Sequence, residues 1–191
     1  MKLRQAESSE FEAVMALIED GRAALATLGI DQWQGTSPNA ATVRADIAAG
    51  HTYVLEASPE DTAYGEEPSP VLLGTLAFIT TGEPDYARIR QGAWLTQSPN
   101  APEEGTATYA VVHRMATSAA AHGHGIGTFM LRSTLQLAHE QGLASVRIDT
   151  HEGNMPMQRA LANAGYTCCC VISITDPGEP TSKRLGYEAL L

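Results

Sequence analysis

The segment His122-Gly123-His124-Gly125-Ile126-Gly127-Thr128 decides how this chain is read. It follows a strand-like run, Thr106 to Thr117, and opens a helical one, Ile126 to Gln141, whose Phe129, Met130, Thr134, Leu137 and Ala138 fall on one stripe before Gly142. The order strand, glycine turn, helix puts successive backbone N–H groups at the positive end of a helix dipole, where an anion fits. Glycine suits such a turn because a side chain would hold phosphate oxygens off the amides and block a left-handed backbone step. Glycines also serve ordinary turns, so the spacing has to be weighed. A dinucleotide fingerprint places GxGxxG after the first strand, whereas this GxGxG lies at mid-chain with Thr128 where a glycine would be needed. A P-loop requires Gly-Lys-Ser/Thr, which is absent.

Working outward, Phe11, Val14, Met15 and Ile18 recur at helical spacing after Ser8/Ser9, and Leu25 and Leu28 continue the pattern to Gly29, with a break expected near Gly21. Ser37-Pro38-Asn39 opens a short helix carrying Val43 and Ile47 and ending at Gly50. Strands are expected at His51 to Ala57 and Val71 to Thr80, joined by an aperiodic connection from Ser58 to Pro70. The long irregular stretch from Gly82 to Gly105, holding Tyr86 and Trp94, is expected near a substrate site. Ser145 to His151 reads as a strand, Asn154 to Ala164 as a helix with Pro156 in its first turn, and Thr167 to Ile174 as a strand, with a last one around Tyr187. The pattern is that of one mixed α/β domain spanning 1–191.

With 191 residues, 43% of them hydrophobic, the chain can bury one sizeable core and is short for two domains. MKLRQAESSE lacks a signal peptide's apolar run, and no apolar stretch approaches the roughly 20 residues that span a bilayer. A cytoplasmic protein with no membrane partner is expected. A net charge of −10 argues against nucleic acid and favours cationic substrates. The contiguous Cys168, Cys169 and Cys170 suit neither a disulfide framework nor a CxxC metal site, and read as strand residues. His122 and His124 give two ligands with no third at recognised spacing, so no metal is expected.

The glycine segment and its flanks resemble the GNAT superfamily of N-acetyltransferases. The family's pyrophosphate motif, Gln/Arg-x-x-Gly-x-Gly/Ala, maps onto His122, Gly125 and Gly127, and Arg114-Met115-Ala116-Thr117 stands where members have a strand ending in an apolar-Ala-Val run. Downstream, Ile148-Asp149-Thr150, Asn154, Met157 and Gly165-Tyr166 continue the match. IDTHEGNMPMQRALANAGY, with IDQWQ near residue 30, looks like a bacterial branch of the family, and the likeness covers nearly the entire chain.

The resemblance implies a mostly antiparallel sheet of six to seven strands with helices on both faces, whose fourth and fifth strands splay to admit acetyl-CoA. It implies that the main chain around Ala116, at Met115 and Thr117, pairs with the pantetheine arm. The amides of Gly123, His124, Gly125, Ile126, Gly127 and Thr128 would hold the pyrophosphate beside His122, and Asn154 would orient the cofactor. Two departures stand out. His122 and His124 replace the family's Arg or Gln and Lys, which weakens charge pairing near neutral pH. Leu161 stands where many members carry the Tyr that protonates the leaving thiolate.

An amine acceptor of pKa ~10.4 is only about 0.04% deprotonated at pH 7, so acetyl transfer to it needs a proton acceptor. His113 and His151 are the candidates, and alternation along the strand would set His113, Met115 and Thr117 on one face. Trp33 and Trp94 are candidate walls of an acceptor pocket. The function expected is acetyl transfer from acetyl-CoA to a primary amine of a small molecule or peptide, by direct attack in a ternary complex. A non-catalytic CoA-binding regulatory module is the alternative, and a homodimer is compatible with either.

Overall fold

The computed structural model describes residues 1–58, 71–97, 109–175 and 181–191. Most of the connection expected from Ser58 to Pro70, the acidic pairs Glu66-Glu67 and Glu103-Glu104, and the first residues of the strand expected from Thr106 lie outside these. Among the described residues, eight strands form one sheet: β1 (Lys2–Gln5), β2 (Thr52–Glu56), β3 (Leu72–Ile79), β4 (Ile89–Gly92), β5 (Tyr109–Thr117), β6 (Ser145–Thr150), β7 (Thr167–Ser173) and β8 (Lys183–Leu190). Their spatial order is β1-β2-β3-β5-β6-β8-β7-β4, antiparallel throughout except for β5 against β6. The count exceeds the expected six to seven because β1 and β4 are four-residue edge strands, KLRQ and IRQG, whose polar sequences carry no readable alternation. The cysteine trio lies within β7.

Helices α3 (Ile126–Glu140) and α4 (Met155–Ala164) cover one face, where Ile126, Met130, Leu131 and Leu161 bury against Val112, Ile148 and Tyr187. On the other face α1 (Phe11–Thr27) and α2 (Ala40–Ala48) bring Phe11, Val14, Val43 and Ile47 onto Val54. A further cluster of Tyr86, Trp94, Val111, Cys170 and Ile172 lies on the side of β5 opposite α3, since Val111 alternates with Val112. No helix among the described residues is long and apolar enough to cross a membrane.

Helix α1 runs unbroken through Gly21. A Cβ there would stand 2.9 Å from both the Ala116 Cβ and the Trp33 ring, so the glycine serves close approach of helix, strand and loop.

Two irregularities of β5 make the site. Ala77 pairs with His113 and Thr75 with Ala116, so Leu76 alone opposes Arg114 and Met115; this is a β-bulge, with Arg114 at φ 50°. The bulge cancels the expected alternation. Met115 joins Val112 on the α3 side, whereas the His113 ring lies 6.0 Å from that of Tyr86 on the other. The second irregularity is separation: β5 pairs with β6 from Tyr109↔Ser145 only to Val112↔Ile148, although β5 runs on to Thr117 and β6 to Thr150. Beyond Val112 the strands part, leaving one edge of β5 unpaired at a gap in the sheet.

Candidate active site

A cleft of about 1300 Å³ occupies that gap and is lined by residues from both faces of the sheet. On the α3 side it is walled by the glycine turn. Gly123 and Gly125 hold φ of 83° and 75°, and Gly125 is the left-handed N-cap of α3 with no side-chain cap. The first amide of α3 to find an i−4 carbonyl is that of Phe129, on Gly125 O at 3.0 Å, so the N–H groups of Ile126, Gly127 and Thr128 have no intrahelical acceptor. A Cβ at Gly123 or Gly125 would meet no atom within 4 Å. An uncapped helix N-terminus facing open space through glycines fits a pyrophosphate. Gly127 differs: its Cβ would touch Ala160 and Met115 at 3.6 Å, so it sets helix and strand spacing while also lining the cleft.

Most of the cofactor-side residues named from sequence line this space. Met115, Ala116, Thr117, His122, Gly123, Gly125, Ile126, Gly127, Thr128 and Asn154 all do; His124 is exposed and does not. The Ile126 side chain is buried in the core, so its contribution is its amide. Asn154 caps α4 by accepting from the Met157 N–H at 3.2 Å, and its amide donates to Thr150 Oγ1 at 3.2 Å. Leu161 is fully buried and lies outside the cleft. Asp20 on α1 steadies the approach to the turn by accepting from Ala119 N–H at 2.8 Å.

The opposite side is built from side chains. His113 Nε2 lies 2.8 Å from Glu83 Oε2, and Glu83 Oε1 accepts from Asp85 N–H at 3.1 Å, capping the short 3₁₀ turn Pro84–Ala87. The His113 contact holds the Glu83 carboxyl below its ordinary value, against the upward push of burial. With Glu83 ionised, Nε2 is assigned as the donor and Nδ1 is left as the proton acceptor. Tyr86 donates to Asp149 Oδ1 at 2.9 Å; burial first, then the Asp149 charge, push the phenol well above its ordinary range. Asp149 sits one residue past the last parallel pair and 4.0 Å from Arg184. Glu83, Asp149 and Arg184 were not singled out as site residues from sequence; they come together only when the turn after β3, the end of β6 and the start of β8 meet at one cleft.

Of the expected walls, Trp33 lines the cleft and Trp94 does not. Trp94 is 1% exposed, donates its indole N–H to Tyr86 O at 2.8 Å and lies 4.6 Å under the Arg147 guanidinium. It supports Tyr86 from behind, because this arm of the Gly82 to Gly105 stretch folds inward onto the buried Arg147–Glu188 pair. His151 also stands outside the cleft: Nδ1 accepts from Gly153 N–H at 3.0 Å and Nε2 faces Asp31 at 3.8 Å.

Residues 51–166 match the model of the acetyltransferase (GNAT) family. Over its full length the chain is 30% identical to an acetyltransferase of the GNAT family from Streptococcus agalactiae 2603, covering 95% of that chain with a TM-score of 0.75. A GNAT-family acetyltransferase from Listeria monocytogenes 4b F2365 shares the fold at 18% identity, with 100% of this chain and 94% of that one covered and a TM-score of 0.64. AAC(6')-Ib in complex with ribostamycin and coenzyme A does so at 16% identity, with 99% and 92% covered and a TM-score of 0.61. No curated protein matches. The fold and the split sheet define an acetyltransferase architecture. The chain belongs to the GNAT acetyltransferase family.

Proposed function

We propose that this protein is an acetyl-CoA-dependent N-acetyltransferase that acetylates a primary amine of a small molecule or peptide, in the cytoplasm where the donor is made. The observation that carries this reading is the cleft through the sheet, with uncapped backbone amides on one side and the His113–Glu83 pair on the other. The amides of Gly123 to Thr128 would hold the pyrophosphate, and the unpaired edge of β5 from His113 to Thr117 would run beside the pantetheine arm. The donor supplies a thioester carbonyl; the amine nitrogen forms the new C–N bond as the C–S bond breaks, the sulfur leaves as thiolate, and the second N–H proton lost by the nitrogen passes to that thiolate. His113 Nδ1 takes the ammonium proton, and Glu83 orients the ring and stabilises the imidazolium. A thiol of pKa ~8.5 leaves without a dedicated acid. Tyr86 is not suited to that task, since its raised pKa and its bond to Asp149 hold the proton in place.

A non-catalytic CoA-binding module is favoured by one observation, the buried Leu161 in place of an acid. Free-thiol release from acetyl-CoA over a panel of diamines, amino-acid amides and lysine peptides separates the two. Turnover with any amine above the hydrolysis background supports the enzyme, and CoA binding without turnover supports the module.

A further inference from the structure

We propose that Arg22 is the positioning residue of the acceptor pocket, holding Trp33 in place as its aromatic wall. The inference rests on the acetyltransferase reading and extends it to a residue outside the cleft. Trp33 has φ 65°, a left-handed conformation that bulky residues adopt only when their surroundings impose it. The imposing contacts come from one turn of α1. Arg22 Nη1 donates to Trp33 O at 2.6 Å and to Gly35 O at 3.4 Å, and Nη2 donates to Pro38 O at 3.0 Å. The main-chain oxygen of the same residue accepts from Gln34 Nε2 at 3.0 Å. One guanidinium thus satisfies three carbonyls of a loop that has no regular structure to hold it. Glu19 balances the charge, 3.3 Å from Arg22 Nε.

Next to it, Gly21 leaves room for the indole to press against α1 beside Ala116, a residue of β5 that lines the cleft. The far end of the loop is fixed independently: Gln32 Oε1 accepts from His151 N–H at 3.3 Å, and Asp31 accepts from the Thr181 hydroxyl. Removing Arg22 therefore takes away the bond to Trp33 O, with those to Gly35 and Pro38, while Asp31 and Gln32 stay attached. Trp33 and Trp94 are the chain's two tryptophans, and Trp94 is buried in the cluster with Tyr86, where Arg22 makes no contact.

Incorporation of 5-fluorotryptophan gives two ¹⁹F resonances, and Trp33→Phe assigns them by deleting one. Arg22→Ala is expected to shift and broaden the Trp33 resonance and leave that of Trp94 in place; Gly21→Ala should shift the same resonance by crowding the ring, and Arg22→Lys should restore only part of the position. With the best amine of the panel, Arg22→Ala should raise the acceptor KM about tenfold or more, because small misplacements of positioning groups are costly, while the KM for acetyl-CoA stays within about twofold by the same argument. An unmoved Trp33 resonance, equal movement of both resonances, or an unchanged acceptor KM would overturn the assignment. Failure of the protein to bind acetyl-CoA would overturn the functional reading instead, and the two resonances would still decide the role of Arg22.

Discussion

The two sides of the cleft are made of different material. On the α3 side the groups facing it are main-chain amides of one continuous heptapeptide, presented by two left-handed glycines at a helix start. On the α1 side they are side chains drawn from a loop at Trp33, a 3₁₀ turn at Glu83, β5 at His113, β6 at Asp149 and β8 at Arg184. Main-chain recognition suits a donor that does not vary, whereas side-chain recognition lets the acceptor change without disturbing the fold. Substitutions on the two sides should therefore separate kinetically.

The largest effect is expected at His113. General base catalysis is worth about 10²- to 10⁴-fold, so His113→Ala should lower kcat by at least ~10²-fold at neutral pH and remove the acidic limb of the pH profile. Calorimetry should find its CoA affinity nearly unchanged. A variant that kept both its rate and its acidic limb would take the role away from His113.

On the donor side, Gly125→Val places a branched side chain at φ 75° in front of the amides. The left-handed step alone costs about 1–2 kcal/mol for a residue with a Cβ, and the side chain fills the space proposed for phosphate. CoA affinity should fall by more than the melting temperature implies, and more than for Gly127→Ala, whose new methyl meets Ala160 and Met115 at ordinary contact distance. Equal CoA affinity in folded Gly125→Val would move the phosphate elsewhere.

This asymmetry also explains what the sequence disclosed. The glycine turn was legible because its function lies in spacing within seven residues, and the splayed strands followed from the family resemblance. The acceptor side was legible only at His113 and Trp33, because Glu83, Asp149 and Arg184 are 66 and 35 residues apart along the chain and meet only through strand order. The β5 bulge was hidden too, since one extra residue leaves an apolar run looking continuous while it sends His113 and Met115 to opposite faces. Trp94 was misplaced for a related reason: an aromatic in an irregular stretch reads as exposed until its buried partners, Arg147 and Glu188, are known.

Smaller effects should appear in stability. Tyr86→Phe removes the donor to the mostly buried Asp149, and hydrogen bonds to charged groups are worth about 1.5–3 kcal/mol. At roughly 2–4 °C per kcal/mol for a chain of this size, the melting temperature should drop measurably; an unchanged value would mean that Arg184 alone satisfies the carboxylate.

The smallest effect concerns pH. Glu83 is held below its ordinary 4.5 in the fold, chiefly by His113, so its contribution is present above that value and is lost as pH falls through the lower folded one. Glu83→Gln should flatten the acid side of the stability profile. An identical acid limb in variant and wild type would mean that the His113–Glu83 contact does not contribute to stability.

If the glycine turn holds acetyl-CoA from the α3 side of the split sheet, the donor must stabilise the fold, and thermal unfolding with and without it decides the matter. At about a hundred times its dissociation constant a ligand bound only to the native state adds ~2.7 kcal/mol. The melting temperature should rise by roughly 5–11 °C in the wild type, with little or no rise in Gly125→Val at the same concentration. No shift and no calorimetric heat in the wild type at saturating acetyl-CoA, or an equal shift in both proteins, would contradict it.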